Sequence, residues 1–110
     1  MTIHTSANTK KQVGNLFKLY ESGQVSETTA RNLNKVLDLE LSQLQSDLAA
    51  TEKDLGDFER QHNMSTADFF KRWQAGKTDD RMDYVEWASL AQMADNLRQR
   101  LEFLSNESQK

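Results

Sequence analysis

An all-α fold is predicted by three features of this 110-residue sequence. From Leu37 to His62, apolar residues recur every three and four positions (Leu37, Leu41, Leu44, Leu48, Leu55, Phe58), with only Thr51 breaking the seam. A second stripe with the same spacing runs through Trp87, Leu90, Ala94, Leu97, Leu101 and Leu104. Proline is absent and glycine occurs four times, so the turn chemistry of hairpin-rich β folds is missing. A repeat averaging about three and a half residues keeps one stripe of a helix turned to one partner. Two such stripes in one chain predict a long antiparallel helical hairpin, coiled-coil-like, accompanied by two short helices.

The elements follow in order. Residues 1–9 are small and polar apart from Ile3 and read as a flexible tail. Val13, Leu16, Phe17 and Tyr20 fall at helical spacing and Gly23 follows where a left-handed C-cap is wanted, predicting a helix over 10–22. Ser26 ahead of Glu27 supplies an N-cap hydroxyl for a second helix over 26–62. Its one weak spot is Gly56, which marks either a bend or the close approach of another element. Asn63 suits a C-cap, and Ser65 with Asp68 three residues on makes a start like a capping box, so a third helix is expected over 65–76. Thr78, Asp79 and Asp80 place carboxylates at the positive end of a fourth helix over 79–105, with 106–110 as a polar tail. Residues 10–105 are expected to form a single domain. Phe17–Gly23 is similar to Phe70–Gly76 at an offset of 53 residues, read either as two ordinary amphipathic helices ending in glycine or as a duplicated short-helix plus long-helix unit.

Net charge is −3, so the chain as a whole is repelled by phosphate backbones and nucleic-acid binding would need a local patch. The absence of cysteine excludes a disulfide framework and any thiolate metal site. No run reaches the ~20 apolar residues that span a bilayer, and the first residues lack a secretory core. A cytoplasmic location is expected.

Chemistry-bearing constellations are sparse. Asp79, Asp80, Asp83 and Glu86 read as helix N-terminal charge and not as a cation site. His4 and His62 have no second imidazole at helical spacing. Without cysteine, a glycine-rich phosphate loop or a nucleophile elbow, no enzyme activity, metal or cofactor is expected. More informative are Phe69, Phe70, Trp73, Tyr84 and Trp87, which a bent helical pair would gather. Core packing is the simpler role for Phe70 and Trp87. One short helix bearing Phe69, Phe70 and Trp73 should nonetheless leave some ring surface exposed for a protein partner. Leu16–Leu33 has the layout of a helix-turn-helix, with Lys10, Lys11, Lys18, Arg31 and Lys35 nearby, but its second helix opens on Glu27-Thr28 instead of on basic residues. A thin hairpin buries little, so a dimer completing a four-helix core is expected, with self-association through Leu37, Leu41, Leu44, Leu48, Leu55, Leu97, Leu101 and Leu104.

The stretch Phe58–Gly76, read as Phe-Glu-Arg-Gln-His-Asn-Met-Ser-Thr-Ala-Asp-Phe-Phe-Lys-Arg-Trp-Gln-Ala-Gly, followed by Asp83-Tyr84-Val85-Glu86-Trp87-Ala88-Ser89-Leu90, resembles a family of small all-helical prokaryotic proteins, frequent in cyanobacteria. Many of its members are encoded first in toxin–antitoxin-type gene pairs. The resemblance covers about half the chain and implies an antitoxin that binds and neutralises a toxin protein through the aromatic region. Leu19-Tyr20-Glu21-Ser22-Gly23-Gln24-Val25-Ser26 is similar to the opening of other small helical antitoxins. The chain departs from the usual antitoxin plan in lacking a basic DNA-binding module and a toxin-wrapping tail. Two alternatives stand beside this reading: a homo-oligomeric coiled-coil adaptor without a toxin, and a transcriptional regulator using residues 16–33.

Overall fold

The computed structural model describes residues 6–105. They form four helices, α1 (Ala7–Glu21), α2 (Glu27–His62), α3 (Thr66–Gln74) and α4 (Met82–Ser105), with no strand among the described residues. The predicted class is the observed one. No described helix is long and apolar enough to cross a membrane.

Local hydrogen bonding explains where each helix begins. The Ser6 hydroxyl accepts the Thr9 N–H (3.1 Å), so α1 opens at Ala7 and residues 7–9 are helical instead of belonging to the expected tail. Residues 1–5 and 106–110, the rest of the expected tails, lie outside the described residues. Ser26 caps α2 through the Thr29 N–H and Ser65 caps α3 through the Asp68 N–H, each at 3.1 Å. The fourth helix starts at Met82, later than the expected residue 79. There the Asp79 carboxylate accepts the Arg81 N–H two residues on (3.3 Å), a local turn that competes with helix.

Three helix ends share one closure. At α1, the Gly23 and Gln24 N–H groups return to the Tyr20 and Leu19 carbonyls; at α3, those of Gly76 and Lys77 return to Trp73 and Arg72. Gly23 and Gly76 have φ of 75° and 71°, where a Cβ would be strained, and Asn63 closes α2 at φ 52°. The 53-residue internal similarity therefore includes a shared capping motif.

The chain divides into two compact units, Met1–Asp38 and Leu39–Lys110, where one domain was expected. The boundary falls inside α2, between Asp38 and Leu39.

In the unit Leu39–Lys110, the second part of α2 packs antiparallel on α4. Glu52 pairs with Arg98 (3.1 Å), Phe58 stacks on Trp87, and His62 meets Asp83 (3.3 Å), so one register number falls as the other rises. Leu44, Leu55 and Leu97 are buried in this unit, while Leu41, Leu48, Leu101 and Leu104 are half-buried. This corrects the assignment of Leu44, Leu55 and Leu97 to self-association, because the chain itself has already covered them. On α4 the buried face is richer in small residues than its leucine stripe implied: Ala88, Ala91 and Ala94 line it together with Trp87. Thr51 does not interrupt the seam. It is buried, with its hydroxyl donating to the Asp47 carbonyl one turn back (2.8 Å) and lying 3.7 Å from the Met93 sulfur.

Gly56 admits no neighbouring element. A Cβ there would meet only the tip of the Arg60 side chain, at 3.4 Å, and α2 is continuous through it. Gly56→Ala is accordingly expected to stabilise the protein by about 1 kcal/mol, seen as a higher urea midpoint at unchanged slope. A lower midpoint would contradict that geometry.

Candidate functional site: the aromatic elbow

The connection from α2 through α3 to α4 forms an elbow filled by rings. Thr66, Phe69 and Trp73 fall at spacings of three and four on α3 and share its inner face. Phe69 lies flat on Trp87, with centroids 3.9 Å apart and planes 1° from parallel. Trp73 is 6.0 Å from Phe69, and Tyr84 is 5.5 Å from Phe69. The end of α2 adds two rings: Phe58 stacks on Trp87 at 5.6 Å, and His62 lies 5.2 Å from Trp87 and edge-on to Tyr84 at 5.4 Å.

Polar contacts hold this stack. The Trp87 indole N–H donates to the Thr66 hydroxyl (3.0 Å), and the Thr66 backbone N–H donates to a Glu59 carboxylate oxygen (2.8 Å). One residue at the start of α3 thus ties all three helices together and satisfies an otherwise orphaned helix N–H. Glu59→Ala is expected to cost about 1 kcal/mol through loss of that cap, with Glu59→Gln retaining most of it, read as shifts in the urea midpoint. Equal losses in the two variants would argue against a cap. His62 Nε2 lies 3.3 Å from an Asp83 carboxylate oxygen, which Arg81 also contacts at 3.0 Å. Nε2 makes no hydrogen bond among the described residues, so the approach to Asp83 is a close polar contact.

All five predicted ring residues meet at this elbow, with their accessibility redistributed. Phe69 and Trp87 are 1% and 0% exposed, so Trp87 takes the core role expected as the simpler one, and neither ring presents surface to a partner as the contact reading of Phe69 and Trp87 required. Phe70, expected in the core, is half-buried, as are Trp73 and Tyr84. The reason is angular: Phe69 shares the inner face of α3, while Phe70 stands about 100° further round. Phe70 instead lines an open groove of about 520 Å³ with Leu55, Ala67 and Ala91, bordered by Glu52, Glu59, Asp95 and Arg98. A smaller recess of about 260 Å³ has Phe69, Tyr84 and Trp87 on its walls, with His62, Arg72 and Lys77 among its polar residues. Sequence reasoning missed Phe58 and His62 as members of this cluster. Their four-residue spacing at the end of the α2 seam was the available signal.

Among the described residues, no three His, Cys, Asp or Glu side chains gather as metal ligands, and the Asp79–Glu86 carboxylates form no such group. The arrangement is a closely packed stack with half-buried rings at its rim. No family model, curated protein or solved structure matches the chain.

Proposed function

We propose that the protein is a non-enzymatic binding module whose aromatic elbow grips a partner protein, and that the partner is a toxin that it neutralises. The observation that carries this reading is the rim of the elbow. Phe70, Trp73 and Tyr84 keep part of their ring surface open, while buried Phe69 backs Trp73 and Tyr84 and the core cluster backs Phe70. Aromatic side chains already held in place lose little entropy on binding, and such residues are enriched among the hot spots of protein interfaces. The groove beside Phe70 adds an apolar floor bordered by Glu52, Glu59 and Asp95, with Arg98 as its one basic side chain. A partner segment offering an apolar side chain beside a cation suits that surface. The resemblance of Phe58–Leu90 to proteins of toxin–antitoxin-type pairs supplies the kind of partner.

Co-expression with the adjacent gene tests the proposal. Expression of that neighbour alone is expected to arrest growth, and this chain to restore it while co-purifying with the neighbour's product. Harmless expression of both flanking genes would overturn the toxin assignment.

A further inference from the structure

Among the described residues, the unit Met1–Asp38 has an apolar surface that the others do not cover. None of its described residues is buried, and on α1 Val13, Phe17 and Tyr20 are 41%, 49% and 37% exposed. These three fall within an arc of about 60° around the helix axis at about 100° per residue, so they form one face two turns long. Ser6 and Ser26 cap α1 and α2, and the Tyr20 hydroxyl joins the two helices by donating to the Asn34 side-chain oxygen (2.8 Å). Those contacts leave the face open.

We propose that this face is the docking surface for a second copy of the chain, the two α1 helices pairing antiparallel about a twofold axis between Leu16 and Phe17. Self-complementarity favours that occupant. The pattern Val13, Leu16, Phe17, Tyr20 reads the same in both directions, so the axis sets Val13 against the partner's Tyr20 and Leu16 against the partner's Phe17. Charge agrees with the same register. Lys10 and Glu21 flank the stripe on the same side at opposite ends, and an antiparallel pair brings each near its opposite in the other copy. Neither has an ion-pair partner among the described residues of its own chain.

Size argues likewise. A unit of fewer than about 40 residues draws its stability from disulfides, metals or association. The sequence has no cysteine to supply a disulfide staple, and association is one of the remaining routes. On the α2 segment of this unit, Leu37 lies three residues from the Tyr20 partner Asn34, on the same side of the helix, and is 38% exposed. The dimer is thereby moved from the leucine seam to α1, and it stands independently of the partner at the aromatic elbow.

Sedimentation equilibrium of the whole chain from about 1 μM to 1 mM tests the proposal. The wild type is expected to approach twice its 12.7 kDa mass. Phe17→Glu is expected to weaken association on the order of a hundredfold. Lys10→Glu and Glu21→Lys should each weaken it about tenfold, because each removes two symmetry-related pairs, and the double reversal should restore it to within about twofold. These reversals at exposed positions keep the test decisive even where Phe17→Glu loses helix content by circular dichroism. A wild-type chain that stays monomeric overturns the proposal and leaves the face to a partner of different sequence. A dimer that survives Phe17→Glu, or a double reversal no better than the single ones, overturns it equally.

Discussion

Trp87→Ala is expected to remove about 3–5 kcal/mol of stability, a large fraction of the roughly 5–15 kcal/mol that holds a typical domain together. Trp87 is fully buried and touches rings from all three helices of the elbow: Phe58 and His62 on α2, Phe69 on α3, and Tyr84 on its own helix. Its removal leaves a cavity that its buried neighbours in the cluster on α4, Ala88, Ala91 and Ala94, are too small to fill. Trp87→Phe separates ring from polar handle. It retains a stacking partner for Phe69 but leaves the Thr66 hydroxyl without the indole donor, so a loss nearer 1–2 kcal/mol is expected. Urea unfolding followed by circular dichroism checks both values. A loss below about 1 kcal/mol in Trp87→Ala would show that the elbow is not the centre of the fold.

The second large effect concerns binding. Truncating Phe70 and Trp73 together is expected to abolish growth rescue in the co-expression assay and to weaken partner binding at least about thirtyfold, as loss of hot-spot rings worth 2 kcal/mol or more requires. Both rings are half-buried, so some stability goes with them, and melting curves of the variant are needed beside the binding data. Phe103→Ser provides the matched control. Phe103 is 79% exposed on α4 and outside the elbow, so rescue should persist. Loss of rescue in both variants would detach the activity from the elbow.

Much of the fold was legible because helix periodicity and capping are local. Ser26, Gly23, Asn63, Ser65 and Gly76 each mark a helix start or stop, and each acts through hydrogen bonds spanning a few residues. The start of α4 was misplaced by three residues because Asp79 serves a turn as readily as a helix N-terminus, and the side-chain bond to Arg81 decides between them. Thr51 was misread as a flaw because polarity was judged without its partner, the Asp47 carbonyl. Around the elbow, composition announced a ring cluster but not its inside and outside. Phe69 and Phe70 are chemically identical neighbours, and only the placement of Trp87 makes one of them core and the other rim.

The sequence by itself determined that this chain is helical, where its caps lie, and that two leucine-rich stripes need covering. Periodicity records which residues share a face, and that information is one-dimensional. Tertiary structure alone decided which faces the chain covers for itself. The seam from Leu44 to Leu55 closes on the alanine-rich side of α4, whereas Val13, Phe17 and Tyr20 on α1 are left open. Burial depends on which helices pack against each other in space, and no local pattern encodes that pairing.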